Sequence, residues 1–417
     1  MSARLAVDAS VTVSDAVAAT TAWVEQHVPA SWRAAAPGGP EAIRAVRSRE
    51  EYEAWYPAFG ASGLVVPTWS PEYGGLGVST EVARAMLTVL ADYHLGRLNP
   101  LGLNLCAPAL FAHGTEEQRR RFLPPIVRNE ERWCQLFSEP GAGSDLASLA
   151  TRAERDGDEW VVTGQKVWTT WAHRSDYAVL LARTDPDVPK RRGLTYFLLA
   201  LRQPGVEVRP LRHTTGEVDF NAVFLDRARV HDGRRVGAVG DGWRVASATL
   251  SSERQMVAGA GSGGVDRIGG AGVEHALALA ASRGRSAEPV LRQRLAAGVV
   301  EERIRAWTNE RARGGRSPGP PGAASSIGKV HAGELNQRLQ LVATDLLGPD
   351  ASAWPAGGGP DAGALPPEVR GMLRSRANTI EGGTSEVNRT TVGERVLDLP
   401  REPDPWRDRP WREVPRS

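Results

Sequence analysis

Apolar and polar positions change their period twice along this chain, which divides it into three parts. Up to about residue 130 the spacing is helical. Positions 12–28 form one such run, a Gly/Pro break follows at 36–40, and 51–59 starts another. Ser79-Thr80-Glu81 opens a helix whose apolar stripe is Val82, Met86, Leu87 and Leu90. Thr115-Glu116-Glu117-Gln118 reads as a further helix start, with Phe122 and Leu123 behind it. From Trp133 the period shortens. Stretches 160–163, 167–170, 177–182, 194–201, 206–211 and 222–225 are short β-rich runs bounded by Gly, Pro and Asp. Asp156-Gly157 and Gly164-Gln165 both suit two-residue hairpin loops. Near Gly242 helical spacing returns over 243–260, 273–281, 289–313, 327–347 and 384–397, interrupted by Gly/Pro-rich loops at 314–324 and 348–367. The pattern predicts an α+β multidomain chain with boundaries at 1–130, 131–240 and 241–402, and a tail over 403–417.

A length of 417 residues with 41% hydrophobic content suffices for two or three cores. Lys+Arg of 51 against Asp+Glu of 49 leaves a net charge of +2 without a dense basic run, which argues against nucleic acid as a partner. Lysine occurs only at Lys166, Lys190 and Lys329, and its scarcity reads as a coding bias toward arginine. Cys106 and Cys134 are too few for a disulfide framework or a thiolate metal site and fit a reducing compartment. With no signal-type apolar core at the start and no later stretch suited to spanning a bilayer, the expected location is cytoplasmic, away from the membrane. His173, His213 and His231 show no metal-site spacing, so no metal is expected.

The chemistry concentrates at two places. Ser138, Gly141, Ala142, Gly143 and Ser144 lead directly into the β-rich runs, so a backbone able to approach a ligand closely is attached to a sheet able to hold it still. That equipment suits a planar cofactor without naming it. On the returning helix, Ala246, Leu250, Val257 and Ala260 share a face with Glu253, which Arg254 follows. A carboxylate on an apolar stripe has its pKa raised by burial, toward the range of a general base.

The string Ser138-Glu139-Pro140-Gly141-Ala142-Gly143-Ser144-Asp145 and the downstream Trp168-Thr169-Thr170 resemble the acyl-CoA dehydrogenase family, and the resemblance extends from about residue 50 to 402. It implies a helical N-terminal domain, a β-barrel-like middle domain and a C-terminal four-helix bundle, holding FAD non-covalently. By that resemblance Gln135, Phe137, Ser138, Gly143 and Ser144 lie along the flavin and pyrophosphate through main-chain amides and a hydroxyl, and Trp168 and Thr170 stand against the flavin. Thr384 and Glu386 join the cofactor set, with Arg283 and Gln293 as candidates on the adenine side. The family's Arg–x–x–Phe–Gly motif is missing at 282–289, and Asp345 and Gly348-Pro349 replace its Gln and Gly-Gly.

Most members of this family carry a catalytic Glu just before a Gly-Thr-Ser string. Here Gly382 takes that position before Gly383-Thr384-Ser385, and Glu381 stands one residue away. A minority place the Glu on the first helix of the C-terminal domain before an Arg, which matches Glu253-Arg254. The resemblance therefore implies Glu253 as base, the Gly382 amide as thioester-polarising group, and Ser144 and Arg254 as substrate contacts. It also implies an acyl-CoA substrate, an electron-transfer flavoprotein as acceptor, and a homo- or hetero-oligomer, dimer or tetramer. The alternatives are a subunit of a heteromeric dehydrogenase, a dehydrogenase of carrier-protein-bound acyl groups, and a flavin monooxygenase of the same fold.

Overall fold

A computed structural model describes residues 3–257, 272–313, 325–353 and 365–415, with the side chains of 253–257 and 313 outside that description. The first part is helical: α1 (Val13–His27), α2 (Ala30–Ala35), α3 (Gly39–Val46), α4 (Arg49–Ser62), α5 (Thr80–Ala91), α6 (Ala107–His113) and α7 (Glu116–Arg128). The starts read from sequence have the expected physical basis. Thr115 and Gln118 form a reciprocal capping box on α7 and the Ser79 side chain accepts from the Val82 amide on α5, while α4 begins ahead of the expected residue 51, behind a Ser48–Glu51 capping box. The Gly/Pro break at 36–40 is itself largely helical, because Pro40 occupies the first turn of α3, where its missing N–H costs nothing.

The middle part is one eight-stranded sheet of β1 (Trp133–Leu136), β2 (Arg152–Asp156), β3 (Glu159–Thr170), β4 (Tyr177–Arg183), β5 (Leu194–Ala200), β6 (Val206–Leu211), β7 (Phe220–His231) and β8 (Arg235–Val236). The order is β6-β7-β3-β2-β4-β5-β8, with β1 pairing in parallel with β4. Both faces of β4 and β5 are covered. Val179, Leu181, Tyr196 and Leu198 pack into the core shared with the N-terminal helices, while Leu180, Ala182, Phe197 and Leu199 pack into a second core on the other face. Burial on both sides explains why these strands read as continuous apolar runs rather than alternating ones.

Asp156 and Glu159 pair across a tight turn containing Gly157 at φ 66°, as the sequence suggests. Gly164-Gln165, by contrast, is not a hairpin: it lies inside β3, beside a register shift against β7 between Val162 and Gly164. The glycine is there for close approach, since a Cβ at Gly164 would sit 2.3 Å from Thr151 Oγ1 and 2.7 Å from Thr151 Cα.

Helices return as α8 (Gly242–Val257), α9 (Val273–Ser282), α10 (Pro289–Arg313), α11 (Ser325–Leu347), α12 (Pro367–Ser375) and α13 (Ser385–Arg395). Within the last part Ala276, Ala280, Leu291, Leu295, Val342 and Leu346 form one core, and Val273, Leu335 and Leu339 another. The segment expected to be a loop over 348–367 opens with a short 3-10 turn at Gly348–Ser352 and gives way to α12, while 314–324 and 354–364 lie outside the described residues.

Candidate active site

The peptide after β1 is held by a buried ion pair. Lys166, on β3 and 0% exposed, donates through Nζ to the Phe137 carbonyl at 2.9 Å, to the Leu181 carbonyl at 2.9 Å and to Glu139 Oε1 at 2.8 Å. Glu139 also accepts from the Ala150 amide at 2.7 Å and the Thr151 amide at 2.9 Å. Burial alone would raise the Glu139 carboxyl, but the adjacent ammonium and the amide bonds outweigh it and hold it below the ordinary carboxylate value. The peptide then folds back, with Glu139 and Ala142 exchanging both backbone hydrogen bonds. Together with Ser148, Ala150, Thr151, Gly164 and Gln165 it lines a cleft of about 260 Å³. Ser138 is half-buried and Gly143 and Ser144 are exposed along this peptide, whereas the Phe137 ring packs edge-on to Tyr196 in the core. Phe137 therefore offers a ligand only its main chain.

At the far end of β3, Trp168 is 60% exposed and takes a left-handed backbone at φ 59°. An indole left that open on the end of a sheet, beside the half-buried Thr170, is a surface that a planar ring would cover. The hydroxyl of Thr169 is buried without a partner, as is that of Ser385. Trp168 stands edge-on to Phe220 at 5.8 Å, and the Arg374 guanidinium lies 5.7 Å from the same Phe220 ring. Arg374 grips Glu381 with both terminal nitrogens, at 2.8 and 3.1 Å. The chain Trp168–Phe220–Arg374–Glu381 thus brings the middle domain and the Gly382 loop to one place.

That loop is set by glycine and lysine. Gly382 and Gly383 both have left-handed backbones, at φ 66° and 86°. A side-chain-bearing base at Gly382 would strain the turn. Lys329 on α11, 1% exposed, donates to the carbonyls of Asn378 at 2.9 Å and Gly383 at 2.6 Å. Below it runs a polar relay: Gln340 donates to Asn336, Asn336 to Asn378, and Asn378 to Glu381. Glu381 is consequently occupied by Arg374 and Asn378. Thr384 caps α13 by accepting from the Val387 amide at 3.2 Å. Glu386 is exposed in the first turn of the same helix, where the bond to its own amide, then Thr384, lowers its pKa.

Glu253 and Arg254 fall on α8, but their side chains lie outside the described residues. Along the described part of α8, Val245, Ala246 and Thr249 are buried and Leu250 is packed against the core. Val257 and Ala260 are beyond the described side chains. Gln135 is half-buried on β1.

Positions expected on the adenine side are engaged within the chain. Arg283 pairs with Asp350, Arg294 with Asp345, and Arg285 donates to the carbonyls of Asp345 and Leu346. Of the replaced positions Asp345 is closed by an ion pair, and Asp350 next to Gly348-Pro349 by another. Arg283 already has a carboxylate partner, and Gln293 is exposed on α10.

His213, Glu217 and Asp219 bring one ligand atom each within 4.8 Å of one another. Both carboxylates already have protein donors, Arg370 and Thr215 on Glu217 and Trp171 on Asp219. The free Cys106 and Cys134 are both buried, and burial pushes the Cys134 thiol up to about 12.

Sequence reasoning missed Lys166, Lys329, Phe220, Arg374 and Asn378. A signal was available for the lysines: in a chain where arginine does almost all the basic work, each surviving lysine sits against a site loop, Lys190 included, whose Nζ donates to Asp145 at 2.7 Å. A compact ammonium with three donors fits a cluster of carbonyls that a planar guanidinium would not.

Three family models cover most of the chain. The acyl-CoA dehydrogenase N-terminal domain matches residues 33–130, the middle domain 134–227 and the C-terminal domain 240–397. The chain belongs to the acyl-CoA dehydrogenase family. It is 40% identical over 374 residues to the acyl-CoA dehydrogenase IpdE1 of Mycobacterium tuberculosis, covering 88% of this chain and 92% of that one. Among solved structures it resembles the Tcur3481-Tcur3483 steroid ACAD, with a TM-score of 0.71 and 28% identity over 94% of this chain and 98% of that one. It also resembles the ChsE4-ChsE5 complex of Mycobacterium tuberculosis, with a TM-score of 0.64 and 27% identity over 94% and 99% of the two chains. As an acyl-CoA dehydrogenase it is an FAD-dependent oxidoreductase. The exposed Trp168 and the orphaned Thr169 and Ser385 hydroxyls fit that cofactor. Among the described residues no helix is long and apolar enough to cross a membrane.

Proposed function

We propose that the chain removes the α- and β-hydrogens of a bulky acyl-CoA thioester to give the trans-2-enoyl product, with Glu253 as general base. The observation that carries this is the state of the C-terminal loop: Gly382 has a left-handed backbone, and Glu381 is held by Arg374 and Asn378. This favours a base acting from elsewhere, and Glu253 on α8 follows in helical spacing from the inward positions 246 and 250. Bound FAD supplies the hydride acceptor. Gln135, Ser138, Gly143 and Ser144 would hold it along the flavin peptide, with Trp168 and Thr170 at the ring and Thr384 and Glu386 at the C-terminal loop. Glu253 takes the α-proton, and the Gly382 amide donates to the thioester carbonyl, stabilising the charge that develops there. Ser144 and Arg254 contact the substrate. A bulky acyl group is supported by the relative titled steroid ACAD. The test is anaerobic mixing with a panel of acyl-CoAs, followed by flavin absorbance. A chain whose flavin bleaches with none of them is not such an enzyme.

Assembly with a second chain is the companion reading. Two solved relatives bear the names of chain pairs, Tcur3481-Tcur3483 and ChsE4-ChsE5. On α10, Val300, Ile304 and Trp307 are exposed at helical spacing, which suits burial against another subunit. Electrons then pass to an electron-transfer flavoprotein. Light scattering of a fully active monomer would contradict the assembly.

A further inference from the structure

The match to the family's C-terminal domain ends at residue 397, yet residues 410–414 beyond it pack back onto the chain. They return across the middle domain. The Trp411 amide donates to the Val188 carbonyl at 2.9 Å, the Arg412 amide to the Pro186 carbonyl at 3.1 Å, and Pro410 bridges to Pro189. Trp411 and Val414 are buried in the process. The Trp411 indole lies over the Arg183 guanidinium, 4.2 Å from ring centroid to Cζ, and its Nε1 donates to the Ser148 carbonyl at 3.2 Å.

Arg183 is the reason this contact matters. Its buried guanidinium donates to the carbonyls of Ala147 at 2.7 Å, Leu149 at 3.0 Å and Lys190 at 3.1 Å. Lys190 in turn holds Asp145. The stretch 145–149 is therefore pinned by Arg183, Lys190 and Trp411, and it is the exit of the Ser138–Asp145 peptide. Ser148 lines the same cleft as Glu139, Gly141 and Ala142. The indole covers the guanidinium that makes these bonds, so water does not compete for them and the low local dielectric strengthens each one.

We propose that residues 410–414 form a strap that fixes the exit of the flavin peptide, with Trp411 as its positioning residue acting through Arg183. Its effect on the cofactor rests on the placement of FAD along 135–144, while its effect on the peptide does not. The experiment uses the full-length, FAD-loaded protein and its Trp411→Ala and Trp411→Phe variants. Hydrogen exchange in the segment 140–151 should accelerate by about 5- to 50-fold in Trp411→Ala, the range expected from losing one cation–π contact and one hydrogen bond. Exchange in β4 and β5 should stay as in the wild type, and FAD release should speed up in parallel. Trp411→Phe keeps a ring over Arg183 but loses the bond to Ser148, so it should fall between. Unchanged exchange over 140–151 overturns the strap, as does acceleration spread over the whole middle domain, which marks a merely structural role. Faster local exchange with unchanged FAD release overturns its effect on the cofactor. A Gly143→Leu control then separates the causes: unchanged FAD binding there locates the failure in the placement of the flavin rather than in the strap.

Discussion

The Lys329 ammonium and the Gly383 carbonyl meet at 2.6 Å, so α11 grips from beneath the turn that presents the Gly382 amide. Replacing Lys329 by Met removes the donor from that carbonyl and from Asn378. The expected cost is about 1–3 kcal/mol of stability per unsatisfied buried group. The turn should also lose its aim. The rate of flavin reduction should fall by on the order of tenfold, short of the 10²–10³ that outright loss of an oxyanion donor costs. FAD affinity should change little. Stopped-flow reduction and denaturant titration read the two effects separately, and an unchanged reduction rate would remove Lys329 from the positioning role.

Glu253→Gln keeps size and hydrogen bonding but accepts no proton at neutral pH. Reduction under anaerobic single turnover should slow by on the order of 10²–10⁴-fold. Glu381→Gln should slow it far less, because the Glu381 carboxylate is committed to Arg374 and Asn378. The reverse ranking would put the base on the C-terminal loop.

Glu139 carries a pH signature. Its folded pKa lies below the ordinary value of 4.5, so its contribution to stability is present above that pH and is lost as pH falls through the folded value. Urea titrations across an acid series should show this loss. In Lys166→Met the carboxylate is left buried without its partner, at a cost of roughly 3–5 kcal/mol near neutrality. With the ammonium gone the Glu139 pKa rises and protonation relieves the buried charge, so the acid-side loss of stability should shrink or reverse. A loss that stays as in the wild type would mean that the amides of Ala150 and Thr151 alone hold Glu139 ionised.

Gly143→Leu separates cofactor from fold. A Cβ at Gly143 meets nothing within 4 Å, so the apoprotein should tolerate the change and melt within a few degrees of the wild type. Flavin content should be lost, because the added side chain fills the space along the peptide that the ring system needs. Full yellow colour after purification would move the flavin away from this peptide.

The starts at Ser79 and Thr115 were legible because these residues satisfy local amides, and local chemistry is written locally. The family match around Ser138 and Trp168 was legible for a similar reason, as short strings with a fixed task. Gly164 was misread because its ladder partner Leu225 comes from β7 and its close neighbour Thr151 from the residue just before β2, neither of which a short window around Gly164 contains. Phe220 and Arg374 were invisible for the same reason: their role exists only where β7 and α12 meet. Lys166 and Lys329 were seen and passed over, since scarcity drew attention to the count and not to the positions.

Those positions have one more effect. Lys166 and Lys329 are buried among carbonyls, and Lys190, with its side chain 18% exposed, is paired with Asp145. The folded surface therefore offers no uncommitted lysine amine. Thioesters are attacked by free amines, and enoyl products add them. In a protein that handles both, the few aminolysis-prone side chains are thus buried or ion-paired, and the exposed basic positions are guanidinium groups, which acylate poorly.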